Sequence, residues 1–273
     1  VISGVTLIAF LIGLSNPFEW SITYRSVLLI LSVVLAGGFV LWESKFSSPM
    51  LDMRLFANPL FTSSVAARII IFLCVGPVIF LIPFYLQGVA GYTPGQAGLI
   101  LMTNAIGLLV AGPIAGRLCD RYGWRIFTVG GSVCSALGLI ILAGLREDTS
   151  LPVIVLGILL PSIGNGLFSA PSSTAILSVV PGSSYGIISA LIQLLRNTSM
   201  VTGIAAATLI TTMVMTNTGL DVNIRDITGD ANSGTVTAFV SAIRTVFLAM
   251  AGLQILGAVL SLYKGKRVNL SLS

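Results

Sequence analysis

The chain has 273 residues, of which 55% are hydrophobic and 8% are charged, and its mean hydropathy is +1.02. Soluble domains are usually about 25% charged, so this composition excludes a soluble globular protein and predicts a protein that crosses a membrane several times. The net charge of +5 does not indicate a nucleic-acid partner, because the basic residues are scattered among apolar runs. Three cysteines and no histidine predict neither a disulfide framework nor a metal site, and we expect no cofactor.

Eight apolar runs are long enough, or nearly so, to cross a bilayer as helices. We therefore predict an all-α polytopic membrane protein with about eight transmembrane helices. The first run is short and opens at Val1 without an initiator methionine, so we expect that it is truncated and that an N-terminal part precedes it. The predicted helices cover residues 2–14, 24–42, 60–87, 94–116, 126–145, 151–179, 187–215 and 235–263.

Local signals mark several positions along these runs. Pro77 and Pro83 fall inside the third run and predict kinks, because each proline removes a backbone hydrogen bond. Thr93 followed by Pro94 predicts a helix start with Thr93 as its cap. Small residues around Asn165 predict close packing between helices.

The densest charged stretch is GRLCDRYGWR, residues 116–125, which lies between two apolar runs. One acid and three arginines with a glycine near each end are typical of a tight turn on the water side of a membrane. Asp120 is placed to accept hydrogen bonds from the free amides of the next helix. From its residues alone, the stretch fits equally well a functional loop and a simple positive anchor between two helices.

Most of this stretch matches, in order and spacing, the G-x-L-x-D-R-x-G-x-R loop of the major facilitator superfamily. Further matches lie at residues 51–56, 83–87 and 91–98. The chain resembles the C-terminal half of the fourteen-helix drug:proton antiporter family in that superfamily. The resemblance implies a conformational-switch loop built from Gly116, Leu118, Asp120, Arg121, Gly123 and Arg125.

The resemblance also implies how the chain is divided. Residues 1–43 would be the extra helix pair of the fourteen-helix group, and residues 44–59 a cytoplasmic connector. Residues 60–267 would be the C-terminal six-helix transporter bundle, followed by a tail at 268–273. The N-terminal half of the same protein would then be a missing partner, and in this family it holds most of the proton-coupling acids.

The charges outside the spans predict an orientation. With residues 116–125 in the cytoplasm, eight basic residues fall on the cytoplasmic side and three on the other, as the positive-inside rule requires. We expect an integral protein of a prokaryotic cytoplasmic membrane, with residues 217–234 outside. The eight are Lys45, Arg54, Arg117, Arg121, Arg125, Lys264, Lys266 and Arg267; the three are Arg25, Arg146 and Arg225.

All nine acidic residues fall in predicted loops or at helix ends. An enzyme within the membrane would need paired carboxylates, an activated nucleophile or metal ligands at mid-depth, so we predict no enzymatic activity. Proton-driven transporters usually bind their protons on buried carboxylates. The resemblance places such acids in the missing half.

Arg196 is the strongest candidate for a site residue outside the loop. It lies about 15 Å along its predicted helix, and a charge at that depth normally faces a partner or a water-filled cavity. Gln193 and Asn197 flank it at helical spacing and extend the polar face. Substrate contact, gating and the balancing of an acid in the missing half all fit Arg196; a structural pairing with backbone carbonyls is the alternative.

Four further polar residues fall within the spans. Arg68 fits a functional site and an anchor that reaches the interface equally well, whereas Arg244 fits an anchor better. Asn104 and Asn165 each fit a substrate contact or a hydrogen bond between helices.

By resemblance, we expect part of a secondary transporter that works by alternating access, a multidrug antiporter that exports small molecules in exchange for protons. One alternative is a transporter of an organic anion, a siderophore or another metabolite, which the positive charges within the spans make plausible. Another is a membrane sensor or scaffold that does not transport. The expected partners are the lipid bilayer, a small-molecule substrate and protons, with no nucleic acid.

Overall fold

The structure is a computed structural model that describes residues 53–217 and 233–262. Within these ranges it contains no β-strand, and each of its α-helices overlaps a segment long and apolar enough to cross a membrane, by length and composition. The predicted all-α fold is confirmed. The predicted spans 2–14 and 24–42, most of the connector, the loop after residue 217 and the tail lie outside the described residues. The helices are α1 (Pro59–Phe84), α2 (Pro94–Tyr122), α3 (Trp124–Ala143), α4 (Leu151–Leu177), α5 (Tyr185–Asn217) and α6 (Ser233–Leu262).

Short helical segments connect the long helices. A 3-10 helix, Met53–Ala57, precedes α1, and a second one, Gly182–Ser184, leads into α5. Pro83 lies in the last turn of α1, and the chain continues from there as a π-helix, Tyr85–Val89. The apolar segment therefore reaches two residues beyond the predicted end at residue 87.

The start of α2 confirms the predicted cap. The Thr93 side chain accepts a hydrogen bond from the Gln96 amide at 3.4 Å, and the Gln96 side chain accepts one from the Thr93 amide at 3.0 Å. This reciprocal pair is a capping box, with Pro94 in the first turn.

The predicted turn at residues 116–125 is too broad. Helix α2 continues through Tyr122, so Gly116 is helical and only Gly123 leaves the helix, with a φ of 81°. The residues from Arg117 to Tyr122 include no proline or glycine, so helical hydrogen bonding continues until Gly123 allows the left-handed conformation. The predicted role of the Asp120 side chain lies outside the part that the structure describes.

The helices form two groups of three. Helix α4 packs between α2 and α3, and α1 packs against α5 and α6; the contacts of α3 with α6 and of α1 with α4 join the groups. In the most apolar windows of α2 and α5, only 22% and 28% of residues are buried, compared with 56% in α1. The outer faces of α2 and α5 are thus the least covered by the described chain.

Glycines set the closest helix contacts. Gly131 on α3 and Gly164 on α4 lie against each other's backbone, and Gly203 on α5 lies against the carbonyl group of Leu73 on α1. A Cβ at any of these glycines would overlap the facing helix. The predicted close packing around Asn165 is confirmed, because both of its glycine neighbours contact other helices.

Candidate functional site: two arginines around Phe72

Arg68 lies inside the bundle and points from α1 toward α4. Only 2% of the residue is exposed. Its Nη2 donates to the Ser169 carbonyl oxygen at 3.0 Å and to the Ser173 hydroxyl at 2.6 Å. Its Nε is buried and has no hydrogen-bond partner among the residues that the structure describes. The guanidinium group therefore stays inside the bundle. This disagrees with the anchor hypothesis, in which it would extend to the membrane surface.

Phe72 lies between this arginine and a second one. It follows Arg68 by four residues on α1, which places both on the same face of the helix. The guanidinium carbon of Arg68 lies 5.6 Å from the Phe72 ring centroid, and that of Arg196 on α5 lies 5.4 Å from it. Both distances are within the range of cation–π attraction. Two cations on different helices thus share one buried ring, and we call these three residues the arginine pair site.

Apolar packing between α1 and α5 places the two arginines at the same depth. Near the N-terminal ends of these helices, Phe61 and Val65 on α1 belong to one core cluster with Ile188 on α5, and Leu195 packs against it. Because matching ends meet, the two helices run side by side in the same direction. Arg68 and Arg196 then follow this cluster on their respective helices.

The arginine pair site has no acidic partner within the described ranges. Neither Arg68 nor Arg196 forms an ion pair there. Glu147 and Asp148 lie in the exposed turn between α3 and α4, at the end of the bundle away from the start of α1. Unbalanced positive charge in a low-dielectric interior attracts anions much more strongly than it would in water.

The other predicted site residues differ in their relation to this pair. Gln193 and Asn197 are exposed on α5, near the half-buried Arg196 in the sequence. Asn165 is buried on α4, one turn before Ser169, and its Oδ1 has no hydrogen-bond partner. Asn104 lies apart on α2, where its backbone carbonyl accepts a hydrogen bond from the Ser162 hydroxyl.

The sequence interpretation did not identify Phe72, Ser169 or Ser173. The two serines were detectable, because Asn165, Ser169 and Ser173 recur every four residues on one face of α4. Phe72 gave no signal, since it is an apolar residue in an apolar run.

The loop motif contributes a contact between helix ends. Arg125, in the first turn of α3, donates from Nη2 to the carbonyl oxygen of Leu262 at the end of α6. A cation is favourable there because the last carbonyl groups of a helix lack partners. Leu118, Arg121 and Gly123 are exposed at the same end of the bundle. Within the described residues, no cluster of cysteine and acidic side chains could hold a metal ion.

Comparison with known proteins identifies a transporter family. Residues 1–204 and residues 60–272 each match the family described as Major Facilitator Superfamily. Relatives include the uncharacterized MFS-type transporter YhcA of Bacillus subtilis, 31% identical over 81% of this chain and 42% of its own. The riboflavin transporter RibZ of Clostridioides difficile is 29% identical over 66% and 40%. The multidrug resistance protein Stp of Mycobacterium tuberculosis is 28% identical over 68% and 34%.

The chain thus spans about two fifths of the length of the curated relatives it matches. The six apolar helices and the loop residues agree with this comparison. The chain belongs to the Major Facilitator Superfamily, whose members are transporters and not enzymes.

Proposed function

We propose that the chain is the C-terminal part of a proton-coupled exporter of small molecules, including drugs, in a prokaryotic cytoplasmic membrane. The family match supports transport, and relatives described as multidrug and lincomycin resistance proteins support drug export. The main structural support is the arginine pair site, because two cations lie within an apolar bundle and neither forms an ion pair among the described residues.

The exposed faces of α2 and α5 support a second bundle as partner. These two helices are the least buried, and α5 presents Gln193 and Asn197 on its exposed side. Alternating access requires two bundles that move against each other around a site. We therefore place the N-terminal half of the transporter against α2 and α5, with the substrate path between the halves.

Arg196 would act as the counter-charge in this arrangement. It is half-buried on α5, close in the sequence to the exposed Gln193 and Asn197. Arg68 is more deeply buried, on the other side of Phe72. A cation close to a carboxylate lowers the pKa of that carboxylate. An acid in the other half that approached Arg196 would therefore release its proton, and this would couple proton transfer to the movement of the two halves.

Export of an organic anion or another metabolite is the second candidate function. The two arginines favour an anionic or neutral substrate over a bare cation, which they would repel. A relative described as a riboflavin transporter shows that the substrates of such proteins are not confined to drugs.

Flux measurements with the complete protein in proteoliposomes test this proposal. We expect an imposed pH gradient to drive movement of at least one of three probes: ethidium as a cation, riboflavin, and fluorescein as an anion. A protonophore should abolish this movement, and the 273-residue chain alone should insert without transporting. Absence of gradient-driven flux for all three probes would favour the sensor or scaffold alternative. Flux that is unchanged by the protonophore would exclude proton coupling.

A further inference from the structure

A cavity of about 520 Å³ lies between α3 and α6, at the end of the bundle opposite Gly123. Its residues come from the end of α3, the turn after it and the outer part of α6, and polar and apolar side chains alternate around it. The polar residues are Arg146, Thr237, Ser241 and Arg244; the large apolar ones are Ile140, Leu145, Val240 and Leu248.

Hydrogen bonds hold the walls of this cavity in place. The buried Tyr85 donates from its hydroxyl to the Arg146 carbonyl oxygen at 2.6 Å, and the Arg146 amide donates to Thr149 Oγ1 at 2.7 Å. Thr237 Oγ1 on α6 donates to the Glu147 carboxylate at 3.3 Å. The turn that bears Arg146 is thereby tied to the end of the α1 segment and to α6. The cavity therefore lies between segments that are bonded to one another.

The depth of Arg244 follows from the packing of α3 against α6. At the far end, Arg125 binds the Leu262 carbonyl group. The same number of residues separates Arg125 from Ala143 and Leu262 from Arg244, so Arg244 lies level with the last residue of α3. Helix α3 has 20 residues, or about 30 Å, which is the thickness of the hydrocarbon core of a bilayer. Arg244 and Arg146 therefore lie where lipid phosphate groups begin.

Both arginines are exposed at this level, and neither forms an ion pair within the described ranges. Deeper in the membrane the same face is apolar, with exposed residues such as Leu137 on α3 and Leu248 and Ile255 on α6. An exposed guanidinium above a lipid-facing apolar surface matches a phospholipid, whose phosphate lies above its acyl chains.

We propose that this cavity binds the headgroup of an anionic phospholipid. Arg146 and Arg244 donate to the phosphodiester oxygens, since guanidinium groups form strong charge-assisted bonds with phosphate. The acyl chains lie along the apolar face of α3 and α6. Glu147 and Asp148 lie in the same exposed turn but do not line the cavity. The charged groups that line it are the two arginines, and they favour an anionic lipid such as phosphatidylglycerol over phosphatidylcholine, whose choline group is a cation.

Native mass spectrometry of the purified full protein tests this site. After delipidation, the protein is titrated with phosphatidylglycerol or with phosphatidylcholine. We expect phosphatidylglycerol to bind more tightly, and the double variant Arg146→Gln/Arg244→Gln to weaken its binding by about tenfold or more. The matched control is Arg117→Gln, which removes an exposed arginine at the opposite end of the bundle and should leave binding unchanged.

A second variant covers the case in which the double variant does not fold. Ser241→Phe keeps both arginines but fills the cavity from an exposed position on α6, and it should also weaken binding of phosphatidylglycerol. Three results would overturn the proposal: equal retention of both lipids, unchanged binding in the variants, or displacement of the lipid by millimolar inorganic phosphate.

Discussion

The substitution Arg68→Met tests whether Arg68 stabilises the folded protein or is present for function. The substitution removes two charge-assisted hydrogen bonds, to Ser169 and Ser173, each with a net value of about 1.5–3 kcal/mol, and the cation–π contact with Phe72, worth about 1–2 kcal/mol. It also removes the desolvation penalty of a charge that is 2% exposed, whose Nε has no partner and which faces a second cation across Phe72. Desolvation of a buried ion amounts to several kcal/mol.

The two contributions nearly cancel, and the partners left on α4 are not orphaned, because Ser173 Oγ still donates to the Ser169 carbonyl group at 3.0 Å. We therefore expect Arg68→Met to change the unfolding free energy by less than about 2 kcal/mol in either direction. Ser173→Ala, which keeps the cation and removes one acceptor, should lower stability by about 1–3 kcal/mol. Reversible unfolding in mixed micelles measures both. A loss of more than about 2 kcal/mol in Arg68→Met would show that Arg68 is a structural clamp.

Three further predictions concern packing, the loop and orientation. Gly203→Ala should lose about 1–3 kcal/mol of unfolding free energy, because its Cβ would overlap the backbone of α1; Gly186→Ala on the same helix has open space and should be neutral or slightly stabilising. Arg125→Gln should raise the rate of amide hydrogen exchange in the last turn of α6 relative to the parent, but not in α2. An equal rise in both helices, or none in α6, would contradict the contact between Arg125 and Leu262. Arg117→Cys, in a cysteine-free background, should react with an impermeant thiol reagent only after cells are permeabilised; labelling of intact cells would reverse the proposed orientation.

The amino-acid sequence predicts those parts of the fold that depend on local patterns. The apolar runs located all six described helices to within a few residues at most ends, because length and hydropathy identify a transmembrane helix. Thr93 and Pro94 located the start of α2 correctly. Gln193 and Asn197 are exposed on α5, and their shared role with Arg196 stays a prediction.

Contacts between distant segments were not predictable from the sequence. The bond between Arg68 and Ser169 joins residues 101 positions apart, and it depends on which faces of α1 and α4 meet. The apolar faces of these two helices give no periodic signal, because they are hydrophobic nearly all round. The loop motif was misjudged as a turn for a related reason: a charged stretch leaves the membrane, but nothing in its charge requires it to leave the helix.

Coupled flux in Arg196 variants of the complete transporter is the most direct test of the central claim. Arg196→Ala should insert normally and lose at least about tenfold of the proton-driven flux, equivalent to about 1.4 kcal/mol. Arg196→Lys should recover only part of it, since an ammonium lacks the planar fork of a guanidinium. Val133→Ala, at an exposed position on α3, away from the proposed interface on α2 and α5, should transport like the parent. If Arg196→Ala also transported like the parent, Arg196 would be a packing residue and the arginine pair site would have no part in transport.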